Sequence, residues 1–121
     1  QYLPGYCILM PDPVVSSINM LSPDQRARYL RDMALVGDAL LDVTGAYRIN
    51  YAIMGNSDPV LHAHIVPRYL DELEPQRSGA PWSYSQEQID SRLFDAERDQ
   101  ELMARLGQAI AARLQKEEEF N

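Results

Sequence analysis

The sequence predicts one domain that mixes helix with sheet, on three observations: two helical stripes of apolar residues, at least three short β-prone runs between turn-forming residues, and a length of 121 residues. A chain of that length makes about one domain and buries roughly two thirds of the surface its unfolded form exposes, enough for a core without disulfide staples. The 45% hydrophobic and 24% charged content lies near the average for soluble globular chains, which argues against fibrous and disordered classes. No internal repeat and no low-complexity tract interrupts the pattern.

Tyr6 to Met10 is a short apolar run between Pro4-Gly5 and Pro11-Asp12-Pro13, the punctuation expected around a buried strand. Ser22-Pro23-Asp24-Gln25 then supplies an N-cap serine, a proline for the first helical position, an acid in the first turn and a Gln three residues past the cap. From there Tyr29, Met33, Val36, Leu40 and Val43 recur at spacings of four, three, four and three, and Gly45 suits the C-terminal cap, so a helix is predicted over residues 23 to 44. Tyr47 to Met54 and Val60 to Val66 read as two strands joined through Gly55-Asn56-Ser57-Asp58-Pro59, as a hairpin or a close connection. Asp71 to Ser85, rich in Pro, Gly, Ser and charge around Trp82 and Tyr84, reads as an irregular surface segment rather than a linker. A last amphipathic helix is predicted over Asp95 to Gln115, with Leu102, Leu106, Ile110 and Leu114 on one side and Glu117-Glu118-Glu119 solvated beyond it.

The charge balance narrows the function classes. A net charge of -7 argues against a partner such as a nucleic acid polymer, whose phosphate backbone selects basic surfaces. Any anionic ligand must therefore be held locally. The lone Cys7 cannot form an internal disulfide, which fits a reducing compartment, and cytoplasm is the expected location. No run of about 18 apolar residues exists and the first residues lack a signal-peptide layout, so no membrane partner is expected. The chain opens on an apolar segment at Gln1 without an initiator Met, and further residues are expected upstream.

The chain has two histidines, His62 and His64, and they lie two residues apart in a predicted strand. Their side chains then share one face, while Leu61, Ala63 and Ile65 turn to the other and can pack on a core. Three readings remain open on the residues alone. The pair can be a plain surface feature. It can be a metal site, although catalytic zinc takes three protein ligands and the third would have to be a carboxylate or Cys7. Or it can be a nucleophilic imidazole, substantially neutral at a pKa of about 6.5, beside a second ring that donates to an anionic substrate.

Around the pair runs Gly55-Asn56-Ser57-Asp58-Pro59-Val60-Leu61-His62-Ala63-His64-Ile65-Val66-Pro67-Arg68-Tyr69. This segment resembles the signature of the histidine-triad (HIT) superfamily, His-x-His-x-His followed after two apolar residues by Pro-Arg. Counting back from Pro67 and Arg68 puts His64 at the third triad position, His62 at the second and Val60 where the first histidine normally stands. Leu3-Pro4-Gly5-Tyr6-Cys7-Ile8-Leu9 is similar to the family's Pro-Gly approach to a core strand, and Ile49-Asn50-Tyr51 to the segment before the family glycine. The resemblance covers residues 3 to about 82 and sets the family's usual N-terminal portion ahead of the chain's start.

The resemblance implies an α+β fold, an antiparallel sheet with two helices, normally dimerised so that two sheets become continuous. It implies a single domain over 1–121, with sheet, first helix and catalytic motif in 1–82 and a C-terminal helical extension in 83–121. It gives His62 the nucleophile's role, attacking the α-phosphorus of a nucleotide to form a nucleotidyl-histidine that water hydrolyses. His64 contacts phosphate oxygens, and Ser57 matches the position that hydrogen-bonds phosphate or leaving group. Gly55, Asn50, Asn56 and Arg68 match nucleotide- and phosphate-binding positions. At Val60 the side chain is lost, but the backbone carbonyl thought to orient the nucleophile remains. Asn56 and Ser57 also suit a turn for local reasons, Arg68 can pair with an acid instead of a phosphate, and Trp82 and Tyr84 can close over a ligand, join a dimer or enter the core. Asp12-Pro13-Val14 departs from the family, where a basic residue and a His often precede the Val, so Pro13 cannot reproduce those contacts.

The expected activity is hydrolysis of a dinucleoside polyphosphate such as diadenosine tetraphosphate. No cofactor is required in the covalent step, and a divalent cation such as magnesium can accompany the substrate's phosphates. The expected partners are the nucleotide and a second copy of the chain. A phosphoramidase or nucleotidyl transferase would use the same His62, and a nucleotide-binding dimer without turnover is the reading from another class.

Overall fold

Gly5 holds a φ of 90°, and a Cβ there would stand 3.0 Å from Leu40 and 3.2 Å from Pro67, so only glycine lets the chain pass this close to helix and sheet together. Behind it lies the first strand, β1 (Cys7–Leu9). In the computed structural model, which describes residues 2–120, there follow α1 (Pro23–Val43), β2 (Arg48–Ile53), β3 (Ala63–Arg68), α2 (Gln86–Asp90) and α3 (Ala96–Phe120). Single 3-10 turns occur at Ile18–Met20 and Pro81–Ser83. Gln1, where the chain opens, lies outside the described residues.

The predicted capping box starts α1: the Gln25 N–H donates to Ser22 Oγ at 3.2 Å, and the Ser22 N–H to Gln25 Oε1 at 3.0 Å. The other end differs from expectation. Thr44, extended, ends the helix by donating its backbone N–H and its hydroxyl to the Leu40 carbonyl, so Gly45 is not needed as a left-handed cap. One face of α1 lies on the sheet and another on α3, and its buried residues therefore include Leu35 and Ala39 beside the predicted Tyr29 and Leu40.

The three strands form an antiparallel sheet in the order β1-β3-β2. The fold is α+β, as expected. The central strand starts three residues later than predicted, at Ala63 rather than Val60. The reason is local: the Val60 N–H bonds to the Asp58 carbonyl and the Leu61 N–H to the Val15 carbonyl, so these groups are spent before the ladder begins. At its far end β3 runs on to Arg68, with Pro67 beyond the reach of β1, where a missing N–H is tolerated.

The alternation along this strand holds. Leu61, Ala63 and Ile65 are buried, the first two in a cluster with Leu21 and Tyr29. On the opposite face Val66 joins a second cluster with Leu3 and Tyr84. The segment from 71 to 85 is thus less superficial than predicted, because its Tyr84 covers this face of the sheet. It is followed by α2, a short helix the sequence reading did not assign, started by a second capping box between Ser85 and Gln88.

Asp95 opens α3 by accepting from the N–H groups of Glu97 and Arg98. The helix runs to Phe120, past the predicted end at Gln115, so the acidic triplet is helical. Leu102, Leu106 and Ile110 are half-buried and Leu114 is 41% exposed, which makes this helix a flank rather than a core element. Arg113 reaches α1 through Asp42 at 2.7 Å, an exposed pair of modest worth. No helix among the described residues is long and apolar enough to cross a membrane. From these burials Leu40→Ala should cost about 3 kcal/mol and Leu114→Ala under about 1 kcal/mol in urea unfolding. Equal losses would place the core elsewhere.

Candidate active site

The change from loop to strand at Ala63 puts His62 just ahead of β3 and His64 within it. The rings meet edge to face, with centroids 4.9 Å apart at 73°. His62 Nδ1 lies 2.6 Å from the Val60 carbonyl oxygen. A carbonyl can only accept, so Nδ1 carries the hydrogen and the neutral ring keeps its lone pair on Nε2. This is the orientation a nucleophilic imidazole needs, and Val60 supplies it through backbone alone.

His64 is paired across the sheet with Ile8 on β1 and Ala52 on β2. Its Nδ1 is hydrogen-bonded to the Tyr6 hydroxyl at 2.5 Å, and the Tyr6 ring stands edge-on to it at 5.8 Å. Burial, and then the neighbouring His62, hold the His64 pKa below the ordinary 6.5, and burial pushes the Tyr6 hydroxyl up. His64 is therefore neutral near pH 7. Tyr6 was missed by sequence reasoning: it precedes β1 by one residue, and nothing in its spacing says that β1 will pair beside the histidines.

A cavity of about 350 Å³ opens beside His64, walled by Tyr6, Arg48, Asn50, Ala52 and Trp82 among others. Trp82 is 62% exposed at this wall, whereas Tyr84 is buried, its hydroxyl on Glu72 and its ring on Tyr2. The two aromatics that the sequence left undecided thus take different places. A larger cavity of about 560 Å³ lies between Tyr2, Tyr69 and Glu72 and has neither histidine in its wall.

Arg68 departs from expectation. It is 2% exposed, and its five N–H donors are used inside the protein. Nη1 donates to Asn50 Oδ1 and the Gly79 carbonyl, each at 2.7 Å, Nη2 to Glu72 at 3.0 Å and the Gln76 carbonyl at 2.6 Å, and Nε to Glu72 at 3.1 Å. No donor is left for a phosphate, so the acid-pairing alternative is the one observed. Burial pushes the Glu72 carboxyl up, but hydrogen bonds from Arg68, Tyr84 and the Tyr69 N–H outweigh it and hold the carboxyl below the usual range.

Gly55 has a φ of 94°, which turns the chain out of β2 into an exposed loop that carries Asn56 and Ser57. The structure brings His64 and Asn50 into the wall of one cavity, sets His62 against the His64 ring, and leaves Asn56 and Ser57 on that loop. Among the described residues no group of three or more His, Cys, Asp or Glu is placed to hold a metal ion. The Cys7 thiol donates to the Gly5 carbonyl, and burial pushes its pKa up.

Solved structures of histidine triad proteins resemble the chain. A histidine triad protein from Bradyrhizobium japonicum is 28% identical, with a TM-score of 0.71 over 87% of this chain and 75% of the other. The fold is that of the histidine-triad proteins. A histidine triad protein from Sinorhizobium meliloti 1021 is 25% identical, with the same TM-score over 86% of this chain and 73% of the other. One from Marinobacter aquaeolei VT8, at 24% identity, shares the fold with a TM-score of 0.71 over 88% of this chain and 74% of that chain. No family model and no curated protein matches the sequence. The structural likeness supports the resemblance to the histidine-triad superfamily that the sequence carries.

The two rings give a direct test. In an NMR titration, the His64 midpoint should fall below 6.5 in the wild type and rise in His62→Gln, which removes the neighbouring charge. Because the unfolded chain takes up that proton at higher pH than the folded one, stability should decline as pH falls below about 6.5. A His64 midpoint above the ordinary value would contradict the buried, Tyr6-bonded ring.

Proposed function

We propose that this protein hydrolyses a dinucleoside polyphosphate of the diadenosine tetraphosphate kind at its α-phosphate, through a nucleotidyl-His62 intermediate. The observation that carries the proposal is the 2.6 Å contact of His62 Nδ1 with the Val60 carbonyl. Nε2 attacks the α-phosphorus, a P–N bond forms, and the P–O bond to the leaving phosphate breaks. The hydrogen stays on Nδ1 and is donated to the Val60 carbonyl, which stabilises the ring as it becomes positive. Water then attacks the same phosphorus, the P–N bond breaks, the nucleotide leaves, and the water's proton passes to solvent as the neutral imidazole is regenerated. Splitting one displacement into two gives each a lower barrier.

His64, with Tyr6 donating to Nδ1, presents Nε2–H to a phosphoryl oxygen, where a positioned donor stabilises developing charge. The Asn50 amide, the Gly55 backbone, Asn56 and Ser57 supply further donors. No cofactor enters the covalent step, and magnesium travels with the substrate phosphates. The protein works in the cytoplasm as a homodimer that extends the sheet across an edge strand; β2, paired on one side only, offers such an edge.

Replacement of the first triad histidine by Val60 keeps the non-catalytic nucleotide-binding dimer as the second reading. Steady-state hydrolysis of diadenosine tetraphosphate separates the two. The catalytic reading expects His62→Ala to lose about four orders of magnitude in kcat, His64→Ala about a hundredfold, and Val60→His to stay within about threefold, since only the carbonyl is used. Near-wild-type turnover in His62→Ala would sink the mechanism, and nucleotide binding without wild-type turnover would establish the second reading.

A further inference from the structure

A buried guanidinium is an expensive way to hold a fold together, because desolvating two ions costs about as much as their attraction returns, and well-packed apolar residues often replace such pairs without loss. What the pair of Arg68 and Glu72 supplies instead is geometry. The planar fork of Arg68 gathers Asn50 from β2, the Gln76 and Gly79 carbonyls from the irregular segment, and Glu72. Glu72 is itself fixed by the Tyr69 N–H at 2.7 Å and by the Tyr84 hydroxyl.

Two walls of the cavity beside His64 depend on this fork. Arg68 has donors only, so the Asn50 atom facing it must be the oxygen, which leaves the amide NH₂ as the group Asn50 can turn to a cavity ligand. The bonds to Gln76 and Gly79 fix the chain immediately ahead of Ala80, Pro81 and Trp82, which form the opposite wall. From these contacts we infer that Arg68 and Glu72 are positioning residues, which aim the Asn50 amide at a nucleotide phosphate held beside His64. The inference rests on the nucleotide reading above and goes beyond it by assigning a role to two residues that cannot themselves reach the substrate.

Trp82 is the one tryptophan of the chain, so AMP binding can be read from its fluorescence without any turnover. The full chain, Glu72→Gln, Asn50→Ala and the double variant are titrated with AMP after a cooperative melt of each is recorded. Glu72→Gln and Asn50→Ala should each weaken the Kd about tenfold, and the double variant should bind within about twofold of Asn50→Ala, because Glu72 acts through the amide. Additive losses, or a folded Glu72→Gln that binds as the wild type does, would overturn the positioning role. If Glu72→Gln fails to fold, Tyr84→Phe removes one of the carboxylate's donors more gently: a two- to threefold loss that vanishes in the Asn50→Ala background supports the role, and one that persists there overturns it. A wild type that binds no AMP would end the nucleotide reading and this role together.

Discussion

A strand allows its side chains two faces, and everything at this site depends on which residues of β3 take which. Ala63 and Ile65, with Leu61 just ahead, are locked into the core under α1, so a slip of one residue would expose all three and bury both histidines. The core thereby decides that His64 faces the cavity and that His62 stands at the strand's mouth. Apolar packing sets the register, and the register sets the chemistry.

Two backbone facts complete the arrangement. The Val60 and Leu61 amides bond to Asp58 and Val15, which delays the strand and leaves the Val60 carbonyl turned to the His62 ring. A side chain at position 60 contributes nothing to that bond, so the chain departs from the histidine-triad signature it resembles while keeping a backbone contact on the His62 ring. At the strand's other end, the buried Arg68 ties β2 to the segment that carries Trp82, linking the sheet to the cavity's outer wall.

The parts legible in the sequence are those governed by local patterns. Ser22 to Gln25 announced the start of α1, the 61–65 alternation announced the core face, and the HIT resemblance marked His62 and His64. The parts that were not legible depend on partners distant in the chain. Tyr6 reaches His64 only because β1 pairs with β3, and Arg68 was ambiguous until the fold buried it against Glu72 and Asn50. Local competition accounts for the displaced boundaries: Thr44 capped α1 where Gly45 was expected, and the loop amides took the bonds that a strand at Val60 would have used. The α2 capping box was present in Ser85 to Gln88, but a helix of five residues has too little periodicity to stand out from the segment around it.

The central claim is covalent, so the most direct measurement is intact mass spectrometry of the protein acid-quenched during reaction with diadenosine tetraphosphate. The account predicts an adenylyl adduct on the wild type that fragmentation places on His62 and that His62→Ala does not form. Product formed with no adduct at any quench time, or an adduct that survives in His62→Ala, would contradict it.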